Sequence, residues 1–319
     1  MSRSSLGRNA PRPVRRPVAI ILAVLASASL LVGAACAAVP ASFAAPPAYA
    51  TGVDPEAWAL VPAGEYLAGQ FNERARTDRD FEIMVTPVTN AQYARYLNEA
   101  LAAGKVRVDG GRVLGHYPGD PFAGKKHEKP IKAGAWPFYV FSDPAARITF
   151  DGKAFTVKSG YEDHPVTMVT WFGARAFAES HGWRLPTEAE WEKAARGVDG
   201  RPFPWGDAIG PGNANYYHSR DPFETPGRMG DTTPVGLYGG KSYGSFKTVD
   251  SKSPYGLYDM AGNVDEWTAD VYAGTHQRYL RGGNKGDYPP DLRSWARSSA
   301  PPDFAGPSAG FRCARDPVR

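Results

Sequence analysis

Two stretches of this chain carry oxygen-bearing side chains at spacings that suit chemistry. The first is Asp259-Met-Ala-Gly-Asn-Val-Asp-Glu266. A calcium ion takes roughly six to eight hard oxygens, from carboxylates and from carbonyls exposed by a tight turn. A Gly-Asn turn bracketed by Asp259 and Glu266 offers that mixture. The competing reading is a plain turn with Trp267 anchored in the core, and spacing alone favours it. The second stretch is Thr187-Glu-Ala-Glu-Trp-Glu192, where Glu188 and Glu192 stand four apart and share a helical face. Acids in a first turn also suit the helix dipole, and Arg196 is spaced to pair with Glu192. That structural role is the better reading. The six histidines, His116, His127, His164, His181, His218 and His276, show no metal-ligand spacing. No Gly-Lys-Ser/Thr follows the Gly-rich loops, so a phosphate-binding loop is not expected.

The elements that must position these residues are short. Leu60–Tyr66 reads as a strand with a turn, and Phe81–Val85 as a second strand. Thr89-Asn-Ala-Gln92 fits a capping box, with Tyr93, Tyr96, Leu97, Ala100 and Leu101 on one helical face. A helix is predicted from Trp171 to Ser180, stopped at Gly182. The next has Pro186 at its entry, Thr187 as N-cap and Glu190 as capping partner, with Trp191, Ala194 and Ala195 inward and Gly197 at its end. Beyond it the pattern gives turns and short strands. Residues 103–160 show little periodicity and read as a long variable insertion, with a hairpin at Ile148–Phe155.

The first fifty residues stand apart. They hold five arginines and no acid, then an apolar run from Val18 to about Val32, then small residues to Ala50. That order is the one of a secretory leader, so a periplasmic or secreted location is expected. An uncleaved anchor and a lipid anchor at Cys36 are the alternatives, and they are the only membrane contacts foreseen. Residues 38–54, rich in Ala and Pro, read as a disordered linker. Removing the five arginines leaves 32 basic against 33 acidic residues, so the basic pI belongs to the leader. Nothing then favours a nucleic-acid partner. Cys36 and Cys313 are the only cysteines, so a domain starting at 51 has no internal disulfide.

Trp183-Arg-Leu-Pro-Thr-Glu-Ala-Glu-Trp-Glu192, Tyr255-Gly-Leu-Tyr-Asp-Met-Ala-Gly-Asn-Val-Asp-Glu-Trp267 and Gly310-Phe-Arg-Cys313 follow one another in order. Together they resemble the sulfatase-modifying-factor family, the formylglycine-generating-enzyme-like domain, over residues 55 to 316. The resemblance implies an α+β fold of C-type-lectin-like topology, loop-rich and poor in regular structure, spanning 51–319. It also implies structural calcium at Asp259 and Glu266 by side chain and at Gly262 and Val264 by carbonyl. A second ion would start at Asn215 and Tyr216, with Asp231 a loose match.

The family's copper-binding cysteine pair belongs between Arg281-Gly-Gly and Ala296-Arg-Ser298. Here that segment has no cysteine. Asp287 falls where the first would be, Asn284 replaces a serine, and Asp265 replaces an aromatic. A carboxylate cannot replace a thiolate for Cu(I), so copper is not an expected cofactor. The cysteine that pairs with Cys313 in some relatives is Ala178 here, which makes Cys313 a buried free thiol. The resemblance then implies a pocket of Asp265, Asn284, Asp287 and Arg297, with Asp287 as general base. One functional class is an exported enzyme that modifies or matures an envelope or secreted substrate, oxidase-like as in a family precedent that oxidises a siderophore chromophore. The other is a non-catalytic, calcium-stabilised lectin-like binding module. Formylglycine generation on sulfatases ranks last. The substrate is a small molecule, peptide or glycan of the envelope.

Overall fold

The computed structural model describes residues 46–120, 128–224 and 229–317. The expected leader, with Cys36, and His127 lie outside them. Among the described residues there are six small sheets and three α-helices. The widest sheet runs in the order Arg297–Ala300, Arg278–Arg281, Asp265–Val271, Ala309–Gly310, with its last pairing parallel. A second sheet sets Phe81–Met84 between Trp58–Val61 and Ala314–Arg315, so early and late segments share hydrogen bonds.

The helices follow their caps. In α1, Asn90–Ala102, Thr89 Oγ1 accepts from the Gln92 N–H at 3.2 Å and the Gln92 side chain accepts from the Thr89 N–H at 2.8 Å. Thr170 caps α2, Trp171–Ser180. Thr187 and Glu190 close a capping box on α3, Glu188–Arg196, and Gly197 ends it at φ 70°. Each local bond satisfies a helix-end N–H that would otherwise be orphaned. Tyr93 and Leu97 of α1, Phe177 and Ala178 of α2, Trp267 and Phe311 pack into one core. Cys313 sits there too, a fully buried free thiol whose pKa burial drives far up.

Two expectations change. The described part of the linker, 46–54, lies on the body: Tyr49 packs on Phe223 and Tyr243 at 5.8 and 4.7 Å between ring centroids. The insertion 103–160 is more regular than its composition suggests. Besides the foreseen hairpin of Ile148–Phe150 with Phe155–Val157, it forms a sheet of Val106–Asp109, Arg112–Tyr117 and Gly134–Val140. Phe172 of α2 packs against Tyr117 and Trp136 of that sheet.

Candidate functional site

The turn ahead of strand Asp265–Val271 is sterically specified. Asp259, Gly262 and Asn263 all take positive φ. A Cβ on Gly262 would stand 2.3 Å from the Asn215 carbonyl oxygen, so only glycine fits. The Asn263 side chain pins the turn by accepting from the Thr233 N–H at 3.0 Å and donating to the Thr233 carbonyl at 3.2 Å. Asp265 then opens the strand, beside Ala309.

The partner segment leaves strand Arg278–Arg281 through Gly282 and Gly283, at φ 95° and 68°. Asn284 next closes a tight turn on itself. Its backbone N–H donates to Asp287 Oδ2 at 2.9 Å, and its side-chain oxygen accepts from the Gly286 N–H at 2.8 Å. Asn284 Nδ2 donates to both acids, to Asp265 Oδ2 at 2.6 Å and Asp287 Oδ2 at 2.8 Å. One amide therefore bridges two carboxylates. They line a cavity of about 180 Å³ with Asn284, Asp291 and Arg297.

Among the described residues no cation forms an ion pair with either acid, though the Lys285 charge acts on both through space. Burial, and then repulsion from Asp287, pushes Asp265 up to about 7. Burial also raises Asp287. Lys285, on the same turn, is 4% exposed, is pulled down to about 8 chiefly by burial, and donates to the Pro307 carbonyl. Its signal in the sequence, a lysine inside Asn-Lys-Gly-Asp, is not among the expected site residues. Arg297 lies at the rim, 58% exposed, and pairs with Glu188 at 3.2 Å. It also lines a second cavity of about 520 Å³ with Tyr66, Phe71, Glu188 and Trp295. The Glu188/Glu192 pair has its structural role: Arg281 holds Glu188 at 3.2 Å and Glu192 at 2.8 Å, and Arg196 holds Glu192 at 2.9 Å.

The residues expected to hold calcium divide. Glu266 is fully buried and spends both oxygens on others: Arg312 Nε and Nη2 donate at 2.7 and 2.8 Å, and Trp191 Nε1 at 2.8 Å. With a guanidinium against it, Glu266 does not fit a ligand's role. Asp259 does. One oxygen accepts from the Gly236 N–H at 2.7 Å, the other only loosely from Asn263 at 3.5 Å. Among the described residues no cation forms an ion pair with it, and burial pushes it up to about 6 against the more distant Arg312 charge. A calcium ion there would rest on Asp259 and the Val264 carbonyl, since the expected Gly262 carbonyl already accepts from the Val264 N–H at 2.9 Å. Among the described residues no group of three or more His, Cys, Asp or Glu is placed to hold a metal, so carbonyls would carry most of the coordination. The second expected site does not fit an ion. The Asp231 carboxylate is taken by Arg147 at 2.7 Å, Tyr161 at 2.7 Å and the Thr232 N–H at 2.8 Å. Asn215 turns its amide to the Asp231 carbonyl at 2.9 Å, and the Tyr216 carbonyl accepts from the Ser219 N–H at 2.9 Å.

Residues 44–317 match the sulfatase-modifying factor enzyme 1-like domain. The inactive C-alpha-formylglycine-generating enzyme 2 of Bos taurus is 31% identical over 263 residues, 77% of this chain and 80% of that protein. The formylglycine-generating enzyme of Streptomyces coelicolor is 32% identical over 292 residues, 80% of this chain and 88% of its own. The chain belongs to the sulfatase-modifying factor family. The fold agrees: PvdO from Pseudomonas aeruginosa superposes with TM-score 0.50 at 22% identity, over 81% of this chain and 94% of that one. CarF does so with TM-score 0.51 at 22% identity, over 82% and 98%. The domain is thus an α+β, loop-rich, formylglycine-generating-enzyme-like fold.

Proposed function

We propose that this chain is a modifying or maturation enzyme that works through an acid pair in place of a thiolate pair. One observation carries the reading. Asp265 and Asp287, two positions where the chain departs from the resembled motif, both accept hydrogen bonds from Asn284, a third, at one cavity. Asp265 suits the base better than Asp287, since its pKa of about 7 lies near working pH. Asp265 takes a proton from a bound X–H group, burial and then Asp287 hold its pKa near 7, and Asn284 holds the two in register. The acid pair carries no electrons. An oxidative version of the reaction therefore also needs dioxygen or another acceptor.

The site of action we infer is the periplasm or the exterior, from the leader. The substrate is a small molecule, peptide or glycan there. Calcium at Asp259 serves as a structural ion in this reading, and copper has no role. A second reading is a non-catalytic, lectin-like binding module. It is favoured by Phe71, 81% exposed on the wall of the larger cavity. Formylglycine generation comes last, because Cys313 is sealed in the core.

The test compares metabolite and secreted-protein masses in cells lacking the chain, complemented with wild type, Asp265→Asn or Asp287→Asn. A mass change restored by wild type but not by Asp265→Asn supports acid–base catalysis. Full restoration by both variants sinks it in favour of binding.

A further inference from the structure

The larger cavity, about 520 Å³, has features that the acid pair does not use. Its volume is that of a small-molecule site, roughly 300–1,000 Å³. One wall is the hairpin of Gly64–Ala68 and Glu73–Thr77, with Tyr66 on the first strand and Gln70 and Phe71 in the turn. Glu188 and Glu192 of α3, with Trp295 and Arg297, add to the lining.

The hairpin turn is fastened to α3. The Gly69 N–H donates to Glu192 Oε1 at 2.6 Å. Arg196, fully buried, donates to the Gly69 carbonyl at 2.9 Å and to Asn72 Oδ1 at 3.0 Å. On that fixed base the Phe71 ring is 81% exposed. A phenylalanine left in water forgoes its burial energy, and here a pinned backbone holds it out on the cavity wall.

Tyr66 gives a second, independent sign. It is 4% exposed and lines the cavity, and its hydroxyl has no hydrogen-bond partner among the described residues. Buried polar groups are nearly always partnered. Burial and then the Glu192 charge push this phenol up to about 12, so it stays protonated and can both donate and accept.

Charge and shape select the ligand. Arg281 holds Glu188 and Glu192, Arg297 also holds Glu188, and Arg196 also holds Glu192. The charges of this wall therefore answer one another. Among the described residues the groups left open are the Tyr66 hydroxyl, the Gln70 amide, the Trp295 indole N–H and, in water at the rim, the Glu73 carboxylate. They suit a neutral ligand whose own groups donate and accept, and Phe71 suits a flat apolar face. A ring of hydroxyl-bearing carbons offers both. An extended peptide would pair through its backbone, but at Gly69 the N–H and carbonyl are already taken by α3.

We propose that the larger cavity binds a neutral saccharide ring, its C–H face on Phe71 and its hydroxyls on Tyr66 and Gln70. This goes beyond the acid pair and does not rest on it. Arg297 lines both cavities, so a ring held here would lie next to the acids.

Titration calorimetry on the full chain tests it with maltotriose, cellotriose and chitotriose, and with sorbitol, which carries hydroxyls without a ring. At least one trisaccharide should bind about tenfold tighter than sorbitol. Phe71→Ala should weaken that trisaccharide about tenfold. Tyr66→Phe, which keeps the ring and removes the hydroxyl, should weaken it about fivefold. Circular dichroism checks that both variants fold. No trisaccharide binding at about 10 mM, sorbitol binding as tightly, or unchanged affinity in Phe71→Ala overturns the proposal. The readout is binding, not turnover: loss of this site leaves the acid pair standing, and an idle acid pair leaves this site standing.

Discussion

Asp265 and Glu266 are neighbours on one strand and have opposite fates. Successive side chains of a strand face opposite sides. Glu266 turns inward and meets Arg312 and Trp191, with every carboxylate oxygen satisfied. Asp265 turns toward the cavity and meets one amide shared with Asp287. Arg312 also donates to the carbonyls of Met84, Val85 and Tyr258, so the inward acid belongs to a knot joining three segments. The outward acid has one side-chain hydrogen bond, from Asn284 at 2.6 Å. A carboxylate paired with a buried cation holds the fold. One left without a cation holds a proton near neutrality and is ready for chemistry.

The sharpest way to break this contrast is mutational. Glu266→Gln leaves the Arg312 charge buried without its counter-ion, which should cost about 3–5 kcal/mol and lower the melting temperature by roughly 10 °C. Asp265→Asn should change stability by no more than about 1 kcal/mol. Equal losses in denaturant titrations would erase the distinction.

Asp259 sharpens it next, as a third acid on the same turn with no guanidinium of its own. If calcium supplies its positive charge, saturating calcium should stabilise the domain by about 2–3 kcal/mol, and Asp259→Ala should abolish that response. Identical melting curves in calcium and in chelator would remove the ion from the site.

An effect of similar size follows from pH. The folded Asp265 has its pKa raised to about 7, above its unfolded value, so its contribution is fully present below about pH 4 and lost as pH rises through about 7. Asp259 acts in the same direction, with its midpoint at about 6. His164 has the opposite sign. Burial pushes its pKa down to about 4, so stability is lost as pH falls from the usual histidine range toward 4. Unfolding free energies at pH 5 and pH 8 should differ less in Asp265→Asn than in wild type, by about 2–3 kcal/mol. A difference as large as the wild type's would assign the slope to other groups.

The smallest effect belongs to Arg297. Its pair with Glu188 is exposed, so Arg297→Ala should alter stability by less than about 1 kcal/mol. A large loss of stability would place Arg297 with the knot instead.

The helices were legible because their start signals are local: Thr89 with Gln92 and Thr187 with Glu190 are three residues apart. The sheet in the insertion carried a signal too. Val106-Arg-Val-Asp-Gly-Gly-Arg-Val-Leu alternates about a Gly-Gly pair, and both glycines take the positive φ of a hairpin turn. The surrounding Gly, Lys and Pro masked it. The pocket positions Asp265, Asn284, Asp287 and Arg297 were readable through the family motif, and they do meet at one cavity. Which acid holds the proton was not readable, because burial decides it. Nor was the Arg147–Asp231 pair, 84 residues apart, whose charge occupies the place expected for a second ion. Tyr49 seemed to lie in a linker because composition reports Ala and Pro but not the aromatic slot between Phe223 and Tyr243.

The sheet that sets Phe81–Met84 between Trp58–Val61 and Ala314–Arg315 has a topological consequence. The domain's first and last strands lie on either side of one shared strand, about 10 Å across. A unit with adjacent doorways can be spliced into the loop of a host protein, or have its ends joined and reopened elsewhere, without parting the sheet. Its architecture is that of a cartridge, and new partners can be acquired by gene fusion while the acid cavity stays intact.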